Sequence, residues 1–356
     1  MRRCLAVLIA ALVVVLPAAL GADDLILSRF GDYLESLRVQ TGIPGMAAIL
    51  VGRDNFGRND IQWERAFGLQ DVERNVTTRT DTPMHFDGVS ESFTAVLALR
   101  CVEEGRLSLD DLVGDYRPSS PDAGLSLRQV LTHTTGPADN PTYAYHPERL
   151  EPFTRVIRAC AIDSFRKSLS NRFEQWGMMD SVPGPDAPSL EPPAEGIPTP
   201  SQAARYQSVL DRMAKGYAID AGRPRLTSYS STTLTPSTGI VSTVRDMAQF
   251  DIALKNGLFL RPETLTAAWR TPTNAAGQRL PHGIGWFVQT YNGETVVWQF
   301  GTGTAGSSSL VVMLPARSLT LILVANSTGL ASTFQLANGD ITTSLFGRLF
   351  LTTFVR

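Results

Sequence analysis

The sequence predicts an α/β domain in which an antiparallel sheet is assembled from both ends of the chain, flanked by helices, with a helical insertion between. Three observations carry that expectation. Met46–Gly52 and Ile61–Leu69 read as two strands near the N-terminus. Ile284–Tyr291, Thr295–Phe300, Ser308–Leu314 and Leu319–Ala325 follow one another through short turns, the pattern of a meander. Between Pro137 and Tyr229 strand signals are rare. A chain of 356 residues, 43% of them hydrophobic, has apolar surface enough for one large domain. That domain is expected over residues 22–356, with sheet regions at about 25–80 and 280–356 and a helical region at about 90–270.

Residues 1–21 read as a signal peptide. Arg2 and Arg3 form a basic start, Leu5–Ala19 an apolar run, and Ala19-Leu20-Gly21 offers small residues for cleavage. The run is short for a membrane span and acidic Asp23 and Asp24 follow it, so no span is expected after cleavage; a retained anchor is the alternative. Cys4 precedes the apolar run, which excludes a lipoprotein box. The expected location is therefore periplasmic or secreted. Leu25, Phe30, Tyr33, Leu34 and Leu37 give Leu25–Gln40 a helical period, broken by Gly42-Ile43-Pro44-Gly45. Arg53–Asp60 is a polar turn, Thr94–Glu104 a helix closed by Gly105, and Leu125–Leu131 a short helix. Pro183–Pro200, rich in Pro, Gly and acidic residues, reads as a surface loop, and Phe334–Phe354 as a closing amphipathic helix.

The formal net charge of −2 leaves no basic surplus to neutralise phosphates, which argues against nucleic-acid binding. Past the signal only Cys101 and Cys160 remain, each in a helix-like apolar stretch. Two buried free thiols are the expectation and a bridge the alternative; two cysteines cannot build a zinc cage. His85, His133, His146 and His282 are scattered without metal-ligand spacing, so neither a metal nor a cofactor is expected.

Several segments together resemble the serine β-lactamase and penicillin-binding-protein family, nearest its class C β-lactamase and esterase branch. Thr82–Ala95 aligns without a gap on that family's nucleophile segment, and Val102–Asp111 looks like the helix end and turn that follow. Leu131-Thr132-His133-Thr134-Thr135-Gly136 is similar to its "LLTHTSG" signature, and Gly177–Ser181 to its "LGM-x-D-S" landmark. Gly239–Ala248 and Gly283-Ile284-Gly285-Trp286 match later landmarks. The resemblance spans Leu25 to Phe354 and implies the β-lactamase/DD-peptidase fold.

The catalytic positions depart from the family. Its first motif is Ser-x-x-Lys, a nucleophile and, one helical turn on, the group that helps deprotonate it. Here Gly88 stands at the serine and Glu91 at the lysine, an absent nucleophile and a reversed charge. Ser90 lies about 200° round a helix from Gly88 and Ser92 about 40° round but a turn deeper, so neither replaces it. Ser164-Phe165-Arg166-Lys167 is the chain's only Ser-x-x-Lys but falls in the helical insert, and reads as a chance match. Tyr145-His146-Pro147 is the best match to the second motif, Tyr-x-Asn; Tyr145 either relays a proton or merely packs. Gln299 in Trp298-Gln299-Phe300-Gly301 stands where the third motif has Lys or His. His133 belongs to a signature that is mainly structural. Backbone N–H groups of Gly88 and Thr302 survive as an oxyanion hole, while Asp87 and Glu91 add negative charge where relatives hold cations.

The expected binding cleft is thus Asp87, Gly88, Glu91, Tyr145, Gln299, Gly301 and Thr302, with no catalytic residue assigned. Loss of a serine nucleophile costs on the order of a millionfold in turnover. The first expectation is therefore a catalytically inactive member of the serine-hydrolase fold that acts, if at all, by binding a small molecule or protein. An active hydrolase of esters or amides, rewired around Glu91 and Tyr145, is the second. A scaffolding role for another surface, such as the Pro183–Pro200 loop, is the third.

Overall fold

A strand that is apolar at every position needs cover on both faces. Met46–Val51 is such a run, and the strand Gly45–Arg53 is buried from Gly45 to Gly52. Ala47, Ile49 and Val51 join a core shared with the helical region; Met46, Ala48 and Leu50 join a second core on the opposite face. The computed structural model describes residues 22–331 and 333–355; the segment read as a signal peptide lies outside them.

Gly45–Arg53 sits inside a 7-stranded antiparallel sheet ordered Phe287–Tyr291, Glu294–Thr302, Ser308–Leu314, Leu319–Ala325, Gly45–Arg53, Asn59–Asp71, Val76–Thr77. The join between chain ends is the pairing of Met46 with Ala325 through Val51 with Thr320. One face is covered by the terminal helices Ala22–Gln40 and Leu345–Phe354, through Phe30, Leu34, Phe346 and Phe350. The other face carries the helix Val244–Lys255, and the same core takes in the helix Ser90–Glu103, buried over Ser90–Leu99 and again at Cys101. A helix buried on nearly all sides belongs in an interior, and this one packs against the helices Phe153–Ala161 and Phe165–Gln175 of the helical insert.

Several expectations are corrected in detail. Cys101 and Cys160 are not free thiols: they form a disulfide joining Ser90–Glu103 to Phe153–Ala161, with Cα atoms 6.0 Å apart. Periodicity put each cysteine on a buried face but carried no information on which faces meet. The strand read from Ile284 starts only at Phe287, because Gly285 turns the backbone to φ +81°. The closing helix starts at Leu345 rather than Phe334; Gly339, at φ +88°, separates two short 3-10 turns before it. The region expected to be helical contains a hairpin, Gly216–Asp220 with Arg223–Thr227. Its turn residues Ala221 and Gly222 both have positive φ, and alanine hid that signal. The Pro183–Pro200 loop is on the surface only from Ser189 onward, since Val182–Pro183 pairs with Ile240–Ser242 and Ala187 is buried. Among the described residues no helix is long and apolar enough to cross a membrane.

The disulfide closes a loop between residues 59 apart in sequence. Replacing both cysteines by serine is expected to lower the unfolding free energy by about 2–4 kcal/mol, read from urea unfolding. Thiol titration of the denatured, unreduced chain from residue 22 should find no free thiol; two thiols would remove the bridge.

Candidate functional site

The helix Ser90–Glu103 is preceded by a single 3-10 turn, Asp87–Val89, in which Asp87 takes φ +45°. Two serines, one in the strand Ser308–Leu314 and one just before it, hold this start. Ser309 Oγ donates to the Phe86 carbonyl at 2.6 Å and Ser307 Oγ to Asp87 Oδ2 at 2.6 Å. Gly301 lies against it so closely that a Cβ there would stand 2.2 Å from the Phe86 carbonyl oxygen, and only glycine fits.

Gly88 is equally constrained from outside. A Cβ at this position would lie 2.6 Å from the Phe300 carbonyl oxygen, 3.3 Å from the Tyr145 hydroxyl and 3.4 Å from Gly301 Cα. The backbone of the strand Glu294–Thr302 has therefore taken the space in which a side chain on residue 88 would begin. Approaches under 3 Å to a backbone atom require something to move, and backbone in a sheet moves at a cost.

One turn deeper, Glu91 is fully buried and its carboxyl is held at both oxygens. The Tyr145 hydroxyl donates to Oε1 at 2.6 Å, and His133 Nε2 meets Oε2 at 2.9 Å. The His146 amide donates to His133 Nδ1 at 3.2 Å, which leaves the ring proton of a neutral imidazole on Nε2, facing Glu91. Burial pushes the Glu91 carboxyl up to about 7 and His133 down to about 3, so this contact is a neutral imidazole donating to a carboxyl and not an ion pair. Burial and the Glu91 charge push the Tyr145 phenol well above its ordinary value. Tyr145 is also wedged between rings, 5.6 Å from Phe287 and 5.5 Å from Phe300, so it packs and hydrogen-bonds at once.

His282 completes this group. Its ring stands edge-on to His133 at 4.6 Å, with Nδ1 2.6 Å from the Gly283 carbonyl and Nε2, fully buried, without a hydrogen-bond partner. Ligand atoms of Glu91, His133 and His282 all lie within 4.8 Å of one another, a convergence of histidines that the sequence scatters. Sequence spacing misses it because the three residues come from a helix, a turn and a loop; the one available hint for His133 was its place in Leu131–Gly136.

The cleft above has a volume of about 280 Å³ and is lined by Gly88, Tyr145, Phe300 and Thr302, with Ser230, Ser231, Ser237, Thr238 and Thr304 among its hydroxyl groups. No Lys, Arg or His belongs to that lining. Of the residues assigned to the cleft from sequence, Gly88, Tyr145 and Thr302 line it and Gly301 stands directly behind Gly88. Asp87, Glu91 and Gln299 are buried beneath the surface. Burial lifts Asp87 to about 6, and its Oδ1 has no partner. Gln299 turns from the cleft: its Oε1 accepts from the Phe300 amide at 2.9 Å and its Nε2 faces the Gly285 carbonyl at 3.4 Å.

The other hydroxyls are committed elsewhere. Ser90 Oγ accepts from the Ile240 amide at 3.4 Å and Ser92 Oγ donates to the Gly285 carbonyl at 3.0 Å. Ser164 caps the helix Phe165–Gln175 by accepting from the Lys167 amide, which explains that Ser-x-x-Lys without chemistry. Lys255 pairs with Asp251 at 2.7 Å.

A family model described as Beta-lactamase matches residues 30–342. Penicillin-binding protein 4* of Bacillus subtilis (strain 168) is 20% identical over 305 residues, covering 75% of this chain and 66% of the relative. Protein flp of Staphylococcus aureus (strain MW2) is 22% identical over 307 residues, covering 80% of this chain and 60% of the relative. ML-236A carboxylate methylbutanoyltransferase mlcH of Penicillium citrinum is 30% identical over 146 residues, 34% of either chain. The matches thus span between 34% and 60% of these last two relatives' lengths. Among solved structures, the octameric penicillin-binding protein homologue from Pyrococcus abyssi superposes with a TM-score of 0.68 at 16% identity, covering 85% of this chain and 74% of that one. D-alanine carboxypeptidase AmpC from Burkholderia cenocepacia gives 0.63 at 20% identity, covering 86% and 95%. These likenesses establish the fold.

Gly88→Ser is expected to destabilise the protein by about 1–3 kcal/mol, because Cβ must displace the Phe300 carbonyl or the helix start. Chemical unfolding of Gly88→Ala and Gly88→Ser measures it. Variants as stable as the parent would mean that the strand yields freely and that the site can still accept a side chain.

Proposed function

The chain belongs to the beta-lactamase family, and from that premise we propose that it is a member without serine catalysis, an exported protein whose cleft binds a small molecule and forms no acyl-enzyme. The observation that carries this reading is at residue 88. There is no hydroxyl, and the Phe300 carbonyl oxygen lies 2.6 Å from where a Cβ would stand, too close for one without movement. Without the nucleophile a covalent intermediate has no atom on which to form. The ligand is not expected to be an anion of the β-lactam or D-alanine type, since the cleft is lined by hydroxyls and rings without a cation and Asp87 and Glu91 lie behind it. Export is supported by the basic and apolar start of the chain and by the Cys101–Cys160 disulfide, a bond that persists in oxidising compartments.

One contact favours a second reading, a hydrolase with rewired acid/base chemistry. The 2.6 Å bond from Tyr145 to Glu91 links a cleft-lining phenol to a carboxyl raised to about 7, the range in which a general base works at neutral pH. In that case Glu91 accepts, through Tyr145, a proton from water attacking an ester or amide carbonyl.

Incubation with a labelled penicillin should leave the intact mass of the protein unchanged. A stoichiometric gain mapped to a peptide containing Ser90 or Ser92 would overturn the first reading. The second is tested with a small p-nitrophenyl ester. Parent and Glu91→Gln should hydrolyse it at the same background rate, and a parent rate tenfold or more above the variant makes Glu91 a working base.

A further inference from the structure

We propose that Glu91, His133 and His282 form a zinc site beneath the cleft, a binding site separate from the ligand reading above and not resting on it. The donor set is two imidazoles and one carboxylate, which together suit a first-row divalent cation and match a known catalytic zinc ligand set. Their ligand atoms lie within 4.8 Å of one another and all three residues are buried. Around a tetrahedral zinc such atoms sit roughly 3.3–3.5 Å apart, so the His133–Glu91 contact, now 2.9 Å, opens slightly on binding while any wider separation within the 4.8 Å limit closes.

The second observation is His282 itself. Its Nδ1 is engaged with the Gly283 carbonyl at 2.6 Å, the outer contact that orients metal-binding histidines, which fixes the ring proton there and leaves the Nε2 lone pair free. That nitrogen is buried without a hydrogen-bond partner, and a ring nitrogen of His282 lies within 4.8 Å of the ligand atoms of Glu91 and His133. A buried acceptor with nothing to accept is uncommon in a folded protein, and a cation between Nε2 and Glu91 supplies what is missing. His85 also has unpartnered ring nitrogens, but among the described residues no second histidine and carboxylate converge with it in such a group.

The metal-free geometry also states what zinc must displace. The His146 amide faces His133 Nδ1, which places the ring proton on Nε2 against Glu91 Oε2. Zinc takes that proton's position; the imidazole then carries its proton on Nδ1, and because the His146 amide is itself a donor that contact must open on binding. Tyr145, whose hydroxyl rests on Glu91 while its ring lines the cleft, stands between the three donors and the cleft, and marks the way in. Three protein ligands leave one position of a tetrahedron for water or a ligand from the cleft.

The test uses an untagged chain from residue 22, stripped with a chelator and titrated with zinc chloride by calorimetry, with cobalt(II) as a spectroscopic probe. One equivalent should bind with a dissociation constant in the micromolar range or below, and cobalt should give the intense visible bands of a four-coordinate ion. Glu91→Gln, His133→Gln and His282→Gln should each weaken binding at least a hundredfold. His146→Gln, which removes the exposed His146–Glu148 pair, should leave the affinity within threefold. Far-UV circular dichroism identifies any variant that fails to fold. The parent alone remains decisive: no zinc bound at 100 micromolar overturns the proposal, as does binding that survives His282→Gln in a folded variant.

Discussion

A carboxyl group removed from water must be given hydrogen bonds, a proton or a counter-charge, and the arrangement around Glu91 follows from that demand. The side chain leaves the first turn of the helix Ser90–Glu103, where the unpaired N–H groups of a helix start favour negative charge. Its two oxygens are met by Tyr145 and His133, both carried by the chain that follows the short helix Leu127–Leu131. That segment is held in turn by the small pairing of Thr134–Thr135 with Thr142–Tyr143 and by the His146 amide on His133. One wall of the cleft, the ring of Tyr145, therefore owes its position to the acid below it. A lysine at residue 91 would meet the same phenol but would offer His133 Nε2 a second donor, and the three groups would have to be rebuilt together.

The approach of strand to helix start is the other constraint on the cleft. Glycines at 88 and 301 let the two backbones come within contact distance, and the serines at 307 and 309 lock them there. Such a junction is stiff and leaves no volume for a side chain on the helix. Relief of the space around a reactive serine and the close packing of two backbones are alternatives at this position; the chain has taken the second.

Strands buried on both faces were the most legible elements. Ser308–Leu314 and Leu319–Ala325 read to the residue because two-sided burial leaves a mark at every position. Boundaries set by a single backbone angle were not legible, as at Gly285 and Gly339, nor was a hairpin turn built on alanine. At the site, the ungapped resemblance was enough to single out Gly88 and Glu91, because it compares positions one by one. It could not show that Glu91 would draw in two histidines from 42 residues downstream and beyond, since those contacts are made only by the folded chain. The orientation of Gln299 was within reach: in a strand its neighbours Trp298 and Phe300 face the terminal-helix core, so Gln299 must face the other way. The meeting of Cys101 and Cys160 depends on how two helices cross and leaves no trace in either segment.

The pairing of Gly45–Arg53 with Leu319–Ala325 has a consequence for how the molecule is made. Met46–Val51 emerges from synthesis as an uninterrupted apolar strand, and its partner on one side is supplied only by the late segment Leu319–Ala325. Contacts this distant in sequence form slowly, and a flat apolar strand without its neighbour is an open template for pairing with other molecules. The hairpin with Asn59–Asp71 covers one edge early, but the other stays bare until the C-terminal meander arrives. A chain truncated anywhere before Leu319 would never close that edge, and should be recovered as aggregate rather than as a smaller folded protein.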